Sequence, residues 1–322
     1  MGERKVACVG VGLIGHSWAT LFAWKRCSVT LYDVNRAQLE NALERIKNNL
    51  LLLAKHDILK DDVNEVLKRI EVKSDLSAAV AEADYIQESV VESYEVKKHV
   101  FREISEFCKP EAIIASSTSS LRMTEIQKAA INPERCVVAH PWNPPHLMPL
   151  VEIIPGEATC REVVEWTRKF MVSLGKVTVV QKKETIGSIG NRLAAALWRE
   201  AINLVNEGVA DPEEIDKAVS AGPGLRWSIV GPFLSYYLGG GKGGIEYFLS
   251  HLGGAMESRW KTLAKWTELS EEMREKIIGG MKSYSILNEK TYEDMVRWRD
   301  EKTIQVLKTL YGDVNCQLFF HE

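Results

Sequence analysis

Short apolar runs alternate with longer segments of helical periodicity over the first 180 residues of the chain. Runs of four to seven apolar residues predict buried strands, and an apolar stripe repeated every three or four residues predicts a helix packed on them. In residues 36–53 that stripe contains Leu39, Leu43, Ile46, Leu50 and Leu53. Alternating strands and helices are typical of an α/β fold with a doubly wound, largely parallel sheet. The predicted strands span residues 6–9, 29–32, 84–90, 112–116, 137–139, 150–154 and 176–180.

The pattern changes near residue 186. From there to residue 322 we expect no strands, and long helical periods dominate, beginning with residues 189–205. Asp211 and Pro212 form an N-cap followed by proline at the first helical position. The sequence therefore predicts two domains, an α/β domain over residues 1–184 and an all-α domain over residues 185–322. The surplus of large apolar residues in the second domain indicates that it also forms a homodimer.

A glycine motif follows the first predicted strand. Strand, glycine turn and helix in this order predict a Rossmann-type dinucleotide site, in which the helix N-terminus faces the pyrophosphate. Asp33 ends the second strand 18 residues after the last glycine, where an acid meets the adenosine ribose. A carboxylate there repels a 2′-phosphate and favours NAD over NADP, a preference that Arg36 weakens. The alternative is an ordinary βαβ turn. The residues of the motif are Gly10, Gly12, Leu13, Ile14 and Gly15.

Polar side chains follow two later strands. Glu92 and Lys97 come after the strand at 84–90, and Ser119 lies in a run of hydroxyl residues after the strand at 112–116. Carboxyl ends of parallel strands line the ligand crevice of a doubly wound sheet. Glu92 and Lys97 therefore either face a ligand or lie in an exposed loop and helix start. Ser119 either caps a helix or binds a substrate.

Glu152 stands alone among four apolar residues of the strand at 150–154. A buried carboxylate needs a partner, and His140, at the start of a proline-rich loop, is the obvious candidate. A carboxylate fixes the tautomer of a histidine and stabilises its protonated form, as a general base requires. The alternative is that Glu152 faces solvent on an edge strand while His140 is structural.

Composition excludes several classes of function. The chain has 322 residues, 45% of them hydrophobic and 26% charged, with a net charge of −3. Without a basic block or a long apolar run, we expect neither nucleic-acid binding nor a membrane span. The N-terminus enters a strand almost at once, so we expect no signal peptide. Six scattered cysteines predict reduced thiols in a cytoplasmic protein and no metal site: Cys8, Cys27, Cys108, Cys136, Cys160 and Cys316.

Five stretches of the chain carry a family pattern: GVGLIG, VVESYEVK, SSTSS, VVAHPWNPPHLMPLVEIIPG and ETIGSIGNRL. Together they resemble the L-3-hydroxyacyl-CoA dehydrogenase superfamily over nearly the whole chain. Within it the chain is most similar to the branch that acts on free acids, that of lambda-crystallin (L-gulonate 3-dehydrogenase) and L-carnitine dehydrogenase. The resemblance implies NAD-dependent oxidation of a small L-3-hydroxy acid, carnitine-like or gulonate-like, to the 3-oxo acid.

The resemblance also implies roles for individual residues. His140, oriented by Glu152, is the general base, and Ser119 and Asn191 hold the substrate oxygen. Asn143 contacts both nicotinamide and substrate. The residues implied at the cofactor, besides the glycine motif and Asp33, are Glu92, Lys97, Ser119 and Asn143.

The identity of the substrate is less constrained. Arg226 pairs with a substrate carboxylate or forms a structural salt bridge. Trp142 contributes to an aromatic cage for a quaternary ammonium or simply packs; the other candidates for the cage are Trp198, Trp227, Tyr236 and Tyr237. Ser188 departs from the family's usual Gly-Phe-Val run and is expected beside the substrate. The alternatives are an L-3-hydroxyacyl-CoA dehydrogenase and, outside enzymes, a crystallin-like structural protein that binds NAD.

Overall fold

The computed structural model describes residues 4–312. Eight strands form one sheet: β1 (Lys5–Val9), β2 (Ser28–Tyr32), β3 (Ile70–Val72), β4 (Tyr85–Glu88), β5 (Ile113–Ser116), β6 (Cys136–Pro141), β7 (Leu150–Pro155) and β8 (Val177–Val180). Seven helices lie between the strands: α1 (Gly15–Trp24), α2 (Arg36–Lys55), α3 (Val63–Leu67), α4 (Leu76–Val80), α5 (Tyr94–Phe107), α6 (Met123–Ile126) and α7 (Arg161–Ser173). The remaining described helices are α8 (Ile189–Asn206), α9 (Pro212–Ala221), α10 (Pro223–Trp227), α11 (Pro232–Gly239), α12 (Gly244–Trp260), α13 (Glu271–Lys282), α14 (Ser285–Glu289) and α15 (Tyr292–Tyr311).

The sheet has the strand order β3-β2-β1-β4-β5-β6-β7-β8. All neighbouring pairs are parallel except β6 and β7, which are antiparallel. The chain leaves β1 toward β2 on one side and later returns to β4 on the other. Such a reversal opens a crevice at the carboxyl ends of the strands. The predicted doubly wound α/β fold, followed by a helical C-terminal region, is confirmed.

Apolar side chains cover both faces of the sheet. On one face Trp18, Phe22 and Phe170 form part of a large cluster to which α1, α2 and α7 contribute. On the other face Phe101 and Ile104 of α5 pack with residues of α4 and α6. The sheet is therefore a buried layer, and polar groups inside it need partners within the protein.

Two details of the sheet differ from the sequence prediction. Residues 70–72, which are not among the predicted strands, form the edge strand β3 beside β2, after α3 has ended at Leu67. Strand β6, expected to stop at Ala139, continues through His140 and Pro141, which pair with Glu152 and Val151 of β7. A proline is tolerated there because it is the last residue of the strand. His140 is therefore held by the sheet and not by the proline-rich loop.

The described chain divides into two compact units, residues 4–191 with 300–312 and residues 192–299. The end of α15 thus belongs to the sheet-containing unit, whereas the sequence places all of 185–322 in the second domain. Ile304 is fully buried in the core of the sheet unit. Glu301 pairs with Lys55 of α2 at 2.7 Å, and the Lys308 ammonium donates to the carbonyl of His56 at 2.5 Å.

No helix among residues 4–312 is long and apolar enough to cross a membrane. Within the same residues, no group of three or more His, Cys, Asp and Glu side chains is arranged to hold a metal ion. Five cysteines are free thiols, namely Cys8, Cys27, Cys108, Cys136 and Cys160. Cys316 lies outside the described residues.

Candidate active site

The glycine turn after β1 is closely packed on two sides and open on the third. Gly10 has φ of 83°, in the left-handed region, and a Cβ there would lie 2.8 Å from the backbone of Ser89. A Cβ on Gly15 would lie 1.8 Å from the carbonyl oxygen of Gly10, so α1 sits directly against the turn. A Cβ on Gly12 would meet no atom within 4 Å. The open space over Gly12, at the start of α1, is where a pyrophosphate can approach the backbone.

Asp33 is fixed beside this turn by two backbone groups. Its Oδ2 accepts a hydrogen bond from the Val11 N–H at 2.9 Å, and its Oδ1 accepts one from the Asn35 N–H at 2.9 Å. Asn35 in turn caps α2 by accepting from the Ala37 N–H, as predicted. The carboxylate therefore ends β2 next to the glycine turn, the arrangement that suits an adenosine ribose. The open approach to Gly12 and the fixed carboxylate of Asp33 are the features that a site for NAD requires.

A cleft with about 880 Å³ of empty space lies at the carboxyl ends of the central strands. Eight of the sixteen site residues predicted from the sequence line it; they come from β6, from the segments after β1, β4, β5 and β6, and from the start of α8. Leu13 is 58% exposed at the same turn. The residues that line the cleft are Ile14, Ser89, Val90, Glu92, Lys97, Ser117, Ser119, His140, Pro141, Trp142, Asn143 and Asn191.

Lys97 and Glu92 form one wall of the cleft. The Lys97 side chain is only 1% exposed and pairs with Glu88 at 2.7 Å and with Glu92 at 3.5 Å. The Glu92 carboxylate also accepts hydrogen bonds from the Thr118 hydroxyl at 2.7 Å and the Ser119 N–H at 3.0 Å. Burial opposes ionisation of Glu92, but the Thr118 hydrogen bond and the charge of Lys97 outweigh it and lower its pKa. Glu92 therefore stays ionised and holds the loop after β5.

Glu88, which the sequence analysis missed, forms a buried ion pair with Lys97. It is fully buried at the end of β4 and accepts hydrogen bonds from Lys97 and from the Ser116 hydroxyl at 2.6 Å. The sequence contained a signal that could have identified Glu88: a carboxylate within the predicted strand at 84–90 needs a partner, for the same reason as Glu152.

His140 and Glu152 face each other across the antiparallel pair β6 and β7. The imidazole Nδ1 lies 3.2 Å from Oε2 of Glu152, and the two residues are 6% and 1% exposed. Burial favours the neutral form of Glu152, but hydrogen bonds from His140, Ser188 and the Gly190 N–H prevail and lower its pKa. The carboxylate therefore remains ionised. Because Nδ1 of His140 is engaged by Glu152, Nε2 is the ring nitrogen left for a ligand in the cleft that His140 lines.

Asn191 lies in the first turn of α8, next to His140. Its side-chain nitrogen is 3.4 Å from Nε2 of His140 and donates to the carbonyl of Ser119 at 3.3 Å. Ser119 and Asn143 line the same cleft as His140 and Asn191. The structure brings these three predicted residues together with His140.

Two predicted substrate residues lie elsewhere. Ser188 is 1% exposed, is not among the residues that line the cleft, and directs its hydroxyl at Glu152. Arg226 is exposed in α10 of the second compact unit. The aromatic residues proposed for a cage with Trp142 also belong to that unit and are exposed: Trp198, Trp227, Tyr236 and Tyr237.

Lys176, a second residue that the sequence analysis missed, supports the loop that carries Asn143. Its ammonium donates to the carbonyl of Met148 at 2.8 Å and to that of Pro145, and it lies 5.9 Å from the ring centroid of Trp18. Burial, with a smaller contribution from the charge of Lys25, lowers the pKa of Lys176 to about 7. A lysine just before a strand has no feature in the sequence that marks it as buried.

Family models match most of the chain. Residues 5–185 match the family model for the 3-hydroxyacyl-CoA dehydrogenase NAD binding domain, and residues 187–279 match that for the 3-hydroxyacyl-CoA dehydrogenase C-terminal domain. An L-carnitine dehydrogenase of Oceanobacillus iheyensis is 38% identical over 94% of this chain and 97% of its own length.

Two solved structures extend the comparison. That of 5-formyl-3-hydroxy-2-methylpyridine 4-carboxylic acid 5-dehydrogenase, an NAD+ dependent dismutase, has a TM-score of 0.80 and 29% identity, covering 95% of this chain and 97% of the other. That of 3-hydroxybutyryl-CoA dehydrogenase from Escherichia coli has a TM-score of 0.67 and 31% identity, covering 87% of this chain and 57% of the other.

Proposed function

Because the chain belongs to the 3-hydroxyacyl-CoA dehydrogenase family and is an NAD-dependent oxidoreductase that oxidises a 3-hydroxy acid, we propose that its substrate is L-carnitine or a close analogue. Similarity to an L-carnitine dehydrogenase over almost the full length of both chains carries this proposal. The cleft is lined by the polar side chains of Glu92, Lys97, Ser119, His140, Asn143 and Asn191.

The chemistry assigned to the cleft follows from its geometry. NAD, when bound at the glycine turn and Asp33, supplies the acceptor for the hydride that leaves the substrate carbon. His140 takes the hydroxyl proton at Nε2, because its Nδ1 is held by Glu152 at 3.2 Å. The ionised Glu152 then stabilises the imidazolium. In the reverse direction the same imidazolium returns the proton.

Hydrogen-bond donors near His140 hold the reacting oxygen. The Asn191 side-chain nitrogen lies 3.4 Å from Nε2 of His140, so an oxygen that contacts Nε2 also lies within reach of the amide. Ser119 and Asn143 line the same cleft. Donors placed where negative charge develops lower the barrier to proton removal.

For the carboxylate and the quaternary ammonium of the substrate we propose, by chemistry alone, the residues that the sequence indicated. Arg226 has the bidentate donors that suit a carboxylate, and the exposed aromatic residues of the second unit have the ring faces that suit a quaternary ammonium. We also propose that this unit forms a homodimer, because several of its large apolar side chains are exposed, among them Phe233 (87%) and Trp198 (66%), and exposed apolar surface marks interaction sites. Free thiols favour the cytoplasm as its location.

Formation of NADH, followed by absorbance, tests the substrate. The panel contains L-carnitine, D-carnitine as the matched stereochemical control, L-gulonate, L-3-hydroxybutyrate, L-3-hydroxybutyryl-CoA and the 5-hydroxymethyl form of the pyridine substrate. We expect the highest kcat/KM with L-carnitine and a preference over D-carnitine of roughly a hundredfold or more, because a site built to hydrogen-bond a substrate hydroxyl discriminates strongly against a molecule that cannot place its hydroxyl there.

A thioester preference would replace the carnitine proposal by the acyl-CoA alternative, which the similarity to 3-hydroxybutyryl-CoA dehydrogenase favours. A preference for the pyridine compound would replace it by the activity of the pyridine 5-dehydrogenase. Light scattering in solution tests the homodimer, and a monomer mass at micromolar concentration would refute it.

A further inference from the structure

Four hydrogen-bond donors converge on the buried carboxylate of Glu152. Oε2 faces Nδ1 of His140 at 3.2 Å, the Ser188 hydroxyl at 2.5 Å and the Trp142 indole N–H at 3.4 Å. Oε1 accepts from the Gly190 N–H at 2.9 Å. Oε2 of Glu152 is therefore shared by His140, Ser188 and Trp142, and the shortest of these three contacts is that with the Ser188 hydroxyl.

The segment around Ser188 is held in place from several sides. The Asn191 N–H lies 3.4 Å from the Ser188 hydroxyl oxygen, and the Ile189 N–H donates to Oε1 of Gln181 at 3.1 Å. Gly190 allows the Trp142 ring to lie against the backbone, since a Cβ on Gly190 would approach the ring to 2.8 Å. The serine hydroxyl consequently has little freedom to turn away from Glu152, its acceptor.

We propose that Ser188 is a positioning residue that fixes the Glu152 carboxylate and shares its charge, so that less of that charge is left to stabilise a protonated His140 ring. A donor to a carboxylate stabilises its charge and reduces what remains for a second partner. Loss of the Ser188 hydroxyl leaves Oε2 with more charge for His140, and the imidazolium becomes more stable. The Ser188 hydroxyl oxygen also lies 3.4 Å from Nδ1 of His140. Its contact with Oε2 of Glu152 is much shorter, at 2.5 Å, so Ser188 acts mainly through Glu152, and it is not among the residues that line the cleft.

Other charged groups near His140 do not offset this effect. Glu92 and Lys97 line the same cleft, but they carry opposite charges, pair with each other at 3.5 Å and are unchanged by a substitution at Ser188. On the far side of Glu152 the neighbouring strand β8 presents Val179, which carries no charge.

The titration of the His140 ring tests the inference directly. Nuclear magnetic resonance of the histidine-labelled protein, with His140→Gln to assign the signal, gives the midpoint without any substrate. We expect Ser188→Ala to raise that midpoint by about half to one pH unit, because a hydrogen bond to a charged group is worth roughly one to two units and only part of it depends on the state of His140. Ser188→Thr keeps the hydroxyl and should restore the wild-type midpoint.

Two further variants keep the test decisive. Trp142→Phe removes the longer donor to the same oxygen and should shift the midpoint in the same direction by less, even if Ser188→Ala folds poorly. Ser105→Ala removes a buried hydroxyl that bonds to the carbonyl of Arg102 and controls for such a loss elsewhere. An unchanged or lowered midpoint in Ser188→Ala would overturn the inference.

Because the inference rests on the proposed role of His140 as base, activity is measured separately. If both are right, the acid limb of the kcat/KM profile moves upward with the ring titration in Ser188→Ala. If the ring titration moves and the acid limb does not, Ser188 positions Glu152 as inferred and the proposed role of His140 is wrong.

Discussion

Lys176 makes the stability of this protein depend on pH in a way that can be calculated. An ordinary lysine has a pKa near 10.4, whereas burial lowers that of Lys176 to about 7. Between these values the unfolded chain binds a proton that the folded chain does not. Stability therefore rises with pH through this window, by up to about 1.4 kcal/mol per pH unit. Integration from about pH 7 to about pH 9 gives a gain of about 2 kcal/mol from this residue.

Replacement by methionine isolates the effect. Lys176→Met keeps a flexible side chain of similar length but cannot titrate, so the free energy of unfolding of the wild type minus that of the variant should increase by about 2 kcal/mol over the same range. The pKa values of Cys8, Cys136 and Tyr85 are raised by burial. Those groups lower stability at high pH in both proteins and cancel in the difference.

Urea unfolding followed by tryptophan fluorescence at both pH values measures this quantity. Lys47→Met, on the exposed side of α2, controls for the loss of a lysine as such. A wild-type minus Lys176→Met difference that stays constant to within about 0.5 kcal/mol would show that Lys176 keeps its proton in the folded state and that the reasoning from burial fails.

Three predictions concern the cleft. His140→Gln should lose about two to four orders of magnitude in kcat while still binding NAD; activity within tenfold of wild type in the NADH assay would remove His140 from the mechanism. Asp33→Ala should bring the kcat/KM values for NAD and NADP to within about tenfold of each other, since it removes the repulsion of the 2′-phosphate, and unchanged discrimination would assign selectivity to another group. Gly12→Val should fold with an unaltered melting temperature, because a Cβ there meets no atom within 4 Å, yet lose NAD binding in a fluorescence titration; retained affinity would mean that the pyrophosphate does not approach at Gly12.

Features of the fold and the site could be predicted from the sequence where a residue type and its spacing allow only one physical arrangement. Glycines at 10, 12 and 15 followed by Asp33 predict the turn, because each position has a separate geometric reason. A partner for Glu152 could be predicted because burying an unpaired carboxylate in an apolar strand costs too much free energy. The structure places His140 opposite it, at 3.2 Å.

Other features depend on tertiary contacts that no local pattern encodes. The three-residue strand β3 is too short to show a period, and it forms because β2 offers an open edge. The burial of Lys176 depends on the carbonyl groups of Pro145 and Met148, 31 and 28 residues away. Ser188 was expected at the substrate because its neighbour Asn191 resembles a site residue, but the direction of a side chain before a helix is set by the backbone of that turn.

The return of α15 to the sheet unit has a consequence for synthesis of the chain. Ile304, buried in that core, emerges from the ribosome more than a hundred residues after β8, which ends at Val180. At a synthesis rate of about 5 to 20 residues per second, the nascent sheet unit lacks the Ile304 side chain for on the order of ten seconds. Expression fragments cut after residue 185 would lack Ile304 permanently. Residues 4–191 and 300–312 therefore complete their shared core only after residues 192–299 have been synthesised.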